Sequence, residues 1–284
     1  MANEIGVTET SASAQSLVSS IVQDTLKERS QLLATVRNFS GQGAPGASQI
    51  SIPRRNQFSA ADKSENTDLS NQEMTFASDV LAFDKHKAIR ATIEDIAKIQ
   101  SNVDVVAEVV REQAAELALQ VDKDILTQLK LCSASTPDHK IPWNDTSNDD
   151  LELADITMAR KLLRDQSLMF DNDDYFMVIS PAKERELLSI SEVISAEKYG
   201  DRTLYKGEVG KILGFRILVS NLLGAKESLF YHRNHAAYAS QAEPKFEKQR
   251  KPESLGDQYV VSMLYGCKVL DSGKRGVFVS DAHE

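Results

Sequence analysis

The residues with the clearest chemical potential are Ser180 and Lys183, which stand three positions apart in the sequence. This S-x-x-K spacing occurs in serine acyl-transferases, where a lysine one helical turn after the serine can activate it as a nucleophile. The companion motifs S-D-N and K-T-G do not occur in the chain. Because Pro181 follows the serine, the same residues are typical of a helix N-cap and first helical position. Capping therefore explains Ser180 better than catalysis does, and a cytosolic hydrolase stays open as an alternative.

The histidines offer a second source of chemistry, because imidazole nitrogens bind metal ions. His232 and His235 form an H-x-x-H pair, but no third ligand stands near them in the sequence. The acidic runs 144–150 and 171–174 have the charge of a calcium loop but lack its glycine and its closing glutamate. We interpret these runs as turns, and the sequence predicts no metal site.

Phosphate-binding motifs are incomplete in the same way. The segment from Gly207 to Ile212 resembles the end of a phosphate loop, but isoleucine stands where a hydroxyl should hold magnesium. Between Gly46 and Gly200 the sequence contains no glycine, so this long middle part has no glycine-built phosphate loop. No arrangement of polar residues converges on a reaction class. We therefore predict a binding or structural protein with no catalytic residues and no cofactor.

Composition and charge limit the partners of this protein. The 284 residues include 42 acidic and 33 basic side chains, which gives a formal net charge of -9. Such an acidic total argues against a protein that coats nucleic acid, because that affinity comes chiefly from lysine and arginine. Cys132 and Cys267 stand far apart and predict buried thiols rather than a disulfide or a zinc cage. The sequence has no long apolar stretch and no signal-peptide pattern, so we expect no membrane partner and maturation in a cytoplasm.

The N-terminal part of the sequence predicts an arm. Residues 1–14 are rich in serine, threonine, alanine and asparagine, which is typical of a segment that is disordered or ordered only on a partner. Apolar residues recur at helical spacing from 16 to 36 and predict an amphipathic helix. The glycine and proline cluster at 41–46 then separates this arm from the rest of the chain.

A long polar excursion follows the arm. Residues 49–53 alternate apolar and polar side chains as a short strand does, and they lead to Arg54 and Arg55. Residues 56–73 contain very few apolar side chains and neither glycine nor proline, so they predict a long projecting loop rather than a tight hairpin. Apolar alternation resumes over 74–93 and predicts the strand that returns from this loop.

A long helix and a mixed domain complete the chain. Asn102 can cap a helix that continues to residue 131, and such a helix would be roughly 45 Å long. Residues 136–150 predict a linker, and helical and buried-strand patterns alternate over 151–188. Short strands separated by glycines dominate after Gly200. The predicted fold class is therefore α+β, with the long helix as a spine.

In this order, the parts resemble the major capsid proteins of tailed bacteriophages, which have the Hong Kong 97-type fold. Two stretches of local sequence are also similar to that family. One is 199–221, where a glycine turn enters an alternating strand that stops at Ser220 and Asn221. The other is the closing run from Gln241 to Val269. The resemblance covers essentially the whole chain and is carried by the order and spacing of these parts together.

The resemblance implies a division of the chain into five segments. They are an N-terminal arm, an extended E-loop with its flanking strands, a peripheral domain with the spine helix, an axial domain, and the return strands of the peripheral domain. In chain order these segments occupy 1–48, 49–93, 94–149, 150–240 and 241–284.

The resemblance also implies a function that is geometric rather than catalytic. Identical subunits would form hexamers and pentamers that tile an icosahedral head around the double-stranded DNA genome. The expected partners are copies of the same chain, a separate scaffolding protein, the portal protein and, as an optional partner, a decoration protein. The DNA would be packaged without sequence-specific binding. The subunits would be assembled in the host cytoplasm and would reside in the virion.

Three residues of the predicted loop are candidate intersubunit contacts. Arg54 and Arg55 stand at its base and Lys63 stands near its tip, and a polar loop with nothing to bury in its own subunit would lie over a neighbour. The alternative for each residue is a solvated loop. Some family members form covalent cross-links between lysine and asparagine across subunits. No motif here identifies a partner asparagine or a catalytic carboxylate for Lys63, so we do not predict a cross-link at this residue.

The sequence leaves two alternatives to a phage capsid protein open. An encapsulin-like bacterial nanocompartment resembles the same fold but encloses cargo enzymes. Neighbouring genes would separate the two, since terminase, portal and tail genes accompany a phage head and a cargo enzyme gene accompanies a compartment. The alternative from a different class is the hydrolase that would use Ser180 and Lys183.

Overall fold

The computed structural model describes most of the chain. The described residues are 30–42, 47–55, 76–100, 105–132, 139–144, 149–166, 174–190, 210–241 and 244–280, with isolated positions between 60 and 74. The predicted helix over 16–36 lies mainly outside these residues. Its described end is not α-helical, because Leu33–Thr35 forms a 3-10 turn. In the described part of the chain, no helix is both long and apolar enough to cross a membrane.

The regular elements alternate between short strands and helices along the chain. The strands are β1 (Arg37–Asn38), β2 (Gln49–Arg55), β3 (Phe76–Ala82), β4 (Lys85–Glu94), β5 (Lys140–Ile141), β6 (Tyr175–Ile179), β7 (Lys211–Ile212), β8 (Phe215–Val219), β9 (Ser228–His232), β10 (Ala236–Ser240), β11 (Lys245–Lys251), β12 (Gly256–Val269) and β13 (Gly276–Val279). The helices are α1 (Asp95–Gln100), α2 (Val105–Leu129), α3 (Leu153–Asp165) and α4 (Pro181–Leu187).

A five-stranded sheet is built around the long strand β12. Along one edge β12 pairs antiparallel with β4, and along the other it pairs first with β11 and then with β10. Strand β1 joins β10 in parallel. Alternate side chains of β12 are buried against the core, as expected of a sheet with one covered face. These residues are Tyr259, Val261, Met263 and Tyr265.

The spine helix α2 packs across the covered face of this sheet. Its 25 residues extend roughly 38 Å. The buried side chains recur at intervals of three and four, which is the spacing that predicted the helix. They include Val110, Ala114, Leu117, Val121, Ile125 and Leu129. The helix predicted over 102–131 is therefore confirmed, with described bounds at 105 and 129.

The second sheet has six strands in the order β5-β13-β9-β6-β8-β7. All five residues of its central strand β6 are buried. Tyr175, Met177 and Ile179 pack into a core with helices α3 and α4. Phe176 and Val178 face the other way and join the core of the spine helix. Strand β6 therefore connects the two cores, because successive strand residues point to opposite faces.

The chain crosses between the two sheets at points that the sequence did not indicate. Strand β10 follows β9 directly but lies in the five-stranded sheet, although it falls within the segment predicted as axial. Strands β11, β12 and β13 all stand in the predicted segment 241–284, but β11 and β12 lie in the five-stranded sheet and β13 pairs with β9 in the six-stranded sheet.

Strands β2 and β3 form a separate two-stranded ribbon. They pair antiparallel from Gln49 opposite Ala82 to Arg55 opposite Phe76. The inner end of the ribbon is anchored in a small apolar cluster that also contains residues of β10. The buried members of this cluster are Phe39, Ile52, Leu81, Ala237, Ala239 and Leu270. Two strands thus flank the predicted loop, most of which lies outside the described residues. The single returning strand predicted over 74–93 is instead two strands, because β3 pairs with β2 while β4 pairs with β12.

Candidate assembly surfaces

Ser180 is a helix cap in the structure. Its Oγ accepts a 3.4 Å hydrogen bond from the Lys183 amide and donates to the Ala225 carbonyl at 3.0 Å. The Lys183 ammonium donates to the Glu186 carboxylate at 2.8 Å and also to the Asp149 carbonyl. Neither contact joins the ammonium to the serine hydroxyl. The S-x-x-K spacing is therefore explained by a cap and a buried ion pair.

Lys183 also anchors the loop that precedes α3. Its side chain is 2% exposed, and its Nζ lies 4.3 Å from the centre of the Trp143 ring. A buried ammonium is tolerated only with ion-pair and hydrogen-bond partners, which Glu186 and Asp149 supply. The Trp143 Nε1 in turn donates to the Lys226 carbonyl at 2.8 Å. These contacts position a loop and do not form a catalytic arrangement.

The two histidines of the H-x-x-H pair make separate contacts. His235 is fully buried, and its Nε2 donates to the Leu129 carbonyl at the end of the spine helix over 3.0 Å. His232 accepts a 3.1 Å hydrogen bond from the Asn234 amide through Nδ1. Burial lowers the pKa of His235 to about 4, so its ring is neutral near pH 7. Within the described residues, no group of three or more His, Cys, Asp or Glu side chains could hold a metal ion.

Both cysteines are buried thiols, as the sequence predicted. The Cys267 Sγ donates to the Asp124 carbonyl at 3.5 Å. Burial raises the pKa of this thiol to about 12. Since the thiolate is the reactive form of cysteine, this residue is inert at neutral pH.

The ribbon leaves the body of the subunit at a cluster of charged side chains. The Arg54 Nε lies 3.1 Å from an Asp79 carboxylate oxygen, and the Arg54 guanidinium also pairs with Asp271. The Asp271 amide donates to Asp79 at 3.0 Å. Arg275 lies 3.6 Å from the second oxygen of Asp271. Arg54, a candidate contact to a neighbour, therefore already pairs with two carboxylates of its own chain.

The other two candidate contacts lie further out. Arg55 is the last residue of β2 and stands opposite Phe76, and its side chain lies outside the described part of the structure. Lys63 is exposed in the loop. Arg54 lies at the base of the ribbon beside its own carboxylate partners, whereas Lys63 lies in the loop beyond it. A contact between these residues and a neighbour remains a prediction.

The outer part of the ribbon carries exposed apolar side chains that the sequence analysis did not select. Phe76 is 64% exposed and Met74 is 44% exposed, while Leu81 at the inner end of the same strand is buried. Burying large apolar side chains such as these against another surface would be favourable. Met74 and Phe76 follow the polar run 56–73 closely, and these two apolar residues were the sequence signal for this surface.

Residues 30–36 form a short strap that lies against the spine helix. The buried Asp122 carboxylate accepts hydrogen bonds from the Ser30 hydroxyl at 2.5 Å, from the Gln31 amide at 2.9 Å and from the Leu32 amide at 3.3 Å. Burial raises the pKa of Asp122 and these hydrogen bonds partly offset the rise. The next residues continue the strap, because the Thr35 and Tyr231 hydroxyl groups lie 2.6 Å apart. These contacts therefore hold residues 30–35 against the spine helix and β9.

A second exposed apolar patch lies where β4 ends and α1 begins. It consists of Ile96, Ile99 and Leu255, and the Asp95 amide donates to the Leu255 carbonyl at 3.0 Å. Leu255 has a φ of 43°, in the left-handed region that disfavours leucine. The Arg250 guanidinium holds Asp95 in place with hydrogen bonds of 2.5 and 2.7 Å. Asp95 is thus bonded both to β11 and to the turn that carries Leu255.

A comparison with protein families identifies the class of protein to which these surfaces belong. A family model described as phage capsid protein matches residues 79–280. The chain belongs to the phage capsid protein family. The match includes the spine helix, the whole six-stranded sheet and every strand of the five-stranded sheet except β1. Among curated proteins, no sequence matches the chain significantly.

Solved structures share the fold over most of the chain. A structure from Mycobacterium phage Che8 superposes with a TM-score of 0.71 at 23% identity, covering 88% of this chain and 90% of that one. The capsid of the cyanophage P-SCSP1u gives 0.70 at 16% identity, with 88% and 87% covered. A virus-like particle from Pyrococcus furiosus gives 0.62 at 10% identity, with 94% and 99% covered.

These comparisons confirm the Hong Kong 97-type fold and the mixed α+β class expected from the sequence. As a member of the phage capsid protein family, the chain is a structural subunit of a phage capsid shell and not an enzyme. Its functional sites are therefore surfaces that meet other subunits.

Proposed function

We propose that the protein is the major capsid protein of a tailed phage, and that it assembles as hexamers and pentamers into an icosahedral head around double-stranded DNA. The observation that carries this proposal is the ribbon. Its inner end is anchored in the body of the subunit, whereas Phe76 and Met74 on its outer part are exposed. In a family of shell-forming proteins, the natural cover for these side chains is a second copy of the chain.

The domain names of the fold are assigned on the same basis. Strands β2 and β3 are the base of the E-loop, and the strap at 30–36 is the end of the N-terminal arm. The spine helix and the five-stranded sheet form the peripheral domain, and the six-stranded sheet with α3 and α4 forms the axial domain. Five strands join a different sheet from the one that the predicted boundaries imply: β1, β4 and β10 lie in the five-stranded sheet, and β5 and β13 lie in the six-stranded sheet.

A ribbon that covers a different surface on the next subunit creates a head-to-tail interface. Interfaces of this kind close into rings when the rotation between subunits is a simple fraction of a turn. Hexamers and pentamers would then be rings of six and of five subunits that are closed by the same contact. We place Arg55 and Lys63 in this contact, together with the apolar residues Met74 and Phe76.

The charge of the protein suits a container for DNA. With a net charge of -9, the subunit has little tendency to bind phosphates tightly, so packaged DNA would be enclosed without sequence-specific contacts. We expect a separate scaffolding protein and a portal protein as partners in the host cytoplasm. A decoration protein is an optional partner on the outer surface of the finished head.

The loop of the ribbon provides the test. Deleting residues 58–72 should leave a folded subunit, because the inner ribbon keeps its anchor in the core, but should abolish stable shells. Circular dichroism and thermal unfolding report the fold, and negative-stain electron microscopy reports the shells. A matched variant that replaces the same residues with a Gly-Ser segment of equal length separates the reach of the loop from its side-chain contacts. Normal particles from the deletion variant would refute this role of the loop.

An encapsulin-like compartment remains the alternative with the same fold. The family match favours a phage head, and the contents of purified particles distinguish the two. Particles from an infected host that contain double-stranded DNA support the phage head. Particles that contain a cargo enzyme and no DNA would support the compartment.

A further inference from the structure

Four charged residues from three separate parts of the chain meet where the ribbon leaves the body: Arg54, Asp79, Asp271 and Arg275. We propose that Arg54 is a positioning residue that clamps the ribbon to the turn between β12 and β13 of its own subunit. The clamp fixes the direction in which the outer ribbon projects. Its value for assembly rests on the proposed function, whereas its action within the subunit does not.

The register of the ribbon places the clamp at a boundary. Ile50, Ile52 and Arg54 lie on one face of β2, because alternate strand residues share a face, and Ile52 stands opposite Asp79. The first two of these side chains pack in or against the apolar cluster that anchors the ribbon. Arg54 is therefore the last side chain on this face among the described residues of β2. Beyond it stand Arg55 and the exposed Phe76.

The turn between β12 and β13 places the Asp271 carboxylate towards the ribbon. Asp271, Ser272 and Gly273 have φ angles of 51°, 52° and 79°, so three successive residues adopt the left-handed region. Aspartate tolerates this region better than most residues, and such a backbone persists only when its surroundings hold it. Here the Asp271 amide donates to Asp79, while the Asp271 carboxylate lies between Arg54 and Arg275.

The four charges also balance within the cluster. Two arginines face two aspartates, and Asp79 accepts from the Asp271 amide as well as pairing with Arg54. The Arg54 side chain is only about one-third exposed (34%). An arginine held between two carboxylates of its own chain is positioned to hold the ribbon, and a neighbour's carboxylate would have to displace one of these partners.

Hydrogen exchange on unassembled subunits tests the clamp. Two variants, Arg54→Gln and Asp271→Asn, each remove one partner of the Arg54–Asp271 ion pair. Asparagine, like aspartate, tolerates the left-handed backbone conformation at position 271. Arg90→Gln removes an exposed arginine from β4 and serves as the matched control. We expect both clamp variants to raise amide exchange in the peptides 49–55 and 76–82 about fivefold. The double variant should exchange no faster than either single one, Arg54→Lys should restore part of the protection, and exchange in β6 should be unchanged.

Particle formation by the same variants completes the test. If the clamp sets the direction of the ribbon, Arg54→Gln and Asp271→Asn should both reduce the yield of closed particles, while Arg90→Gln should not. Unchanged ribbon exchange in unassembled Arg54→Gln subunits would overturn the clamp, and a loss of particles in that case would assign Arg54 to a contact with a neighbour. If the parent chain forms no particles, the proposed function fails, and the exchange result still decides whether the clamp exists.

Discussion

Strand β6 and the ribbon strand β3 differ in how far their apolar side chains are buried. Every side chain of β6 is buried, because one face meets the core of the spine helix and the other meets the core of α3 and α4. Along β3, burial falls from Leu81 in the anchoring cluster to the exposed Phe76. The apolar residues of β6 are thus buried within one chain, whereas Phe76 at the outer end of the ribbon is exposed. Under the proposed function, the body of the subunit supplies its stability and the ribbon supplies a contact for assembly.

The largest effect on the subunit is expected in the body. Phe215 is fully buried, and its ring makes edge contacts with Tyr175 and Phe230 at centroid distances of 6.0 and 5.4 Å. Replacing Phe215 with alanine should lower the free energy of unfolding by about 3 to 5 kcal/mol, because it leaves a cavity in the core. Urea unfolding of unassembled subunits measures this loss. A loss below about 1 kcal/mol would contradict the assignment of this strand to a packed core.

Acid should weaken the body through His235. Since burial lowers its pKa from 6.5 to about 4, the unfolded chain binds a proton between these pH values and the folded subunit does not. The stability that this group contributes is present above pH 6.5 and is lost as the pH falls towards 4, by roughly 3 kcal/mol in all. Unfolding of the parent and of His235→Gln should therefore differ in pH dependence over this window. Parallel pH profiles for the two proteins would show that the His235 ring is not held neutral.

A smaller effect is expected at Ser180. Its hydroxyl caps α4 and donates to the Ala225 carbonyl, so Ser180→Ala should cost about 1 kcal/mol of unfolding free energy. Particle formation should survive this change, because the hydroxyl is buried within its own subunit. An esterase or peptidase activity in the parent that disappears in Ser180→Ala would instead revive the hydrolase alternative.

The smallest effect on the subunit is expected at Phe76, where the comparison with the body is sharpest. Because its side chain is largely in contact with water, Phe76→Ala should change the unfolding free energy by less than about 0.5 kcal/mol. The same variant should reduce the yield of closed particles, since the aromatic ring would be buried against a neighbour. Phe215→Ala, a phenylalanine in the body, provides the matched contrast. Normal particle yield with Phe76→Ala would remove this residue from the intersubunit contact.

Local sequence patterns predicted the elements that depend on near neighbours in the chain. The spine helix follows from the spacing of Val110, Ala114, Leu117 and Val121, and β6 follows from its apolar run. The Ser180 cap was also visible, because a cap is decided by residues three positions apart. These features need no knowledge of distant parts of the chain.

The features that were missed all depend on distant pairs. Arg54 and Asp271 are 217 positions apart, and no sequence pattern links a ribbon residue to a turn that far away. Asp122 was unremarkable as a polar residue of a helix until the strap at 30–32 placed two amides and a hydroxyl against it. The sheets that β10 and β13 join were also missed, because the whole fold decides which strands pair.

The central claim is that copies of this chain cover one another's ribbons in a closed shell. Light scattering combined with negative-stain electron microscopy tests it most directly, on the purified chain alone and on the chain expressed with a scaffolding protein. The account predicts closed particles, or separate hexamers and pentamers that convert into them. A strict monomer under every condition, including expression with the scaffolding protein, would contradict it.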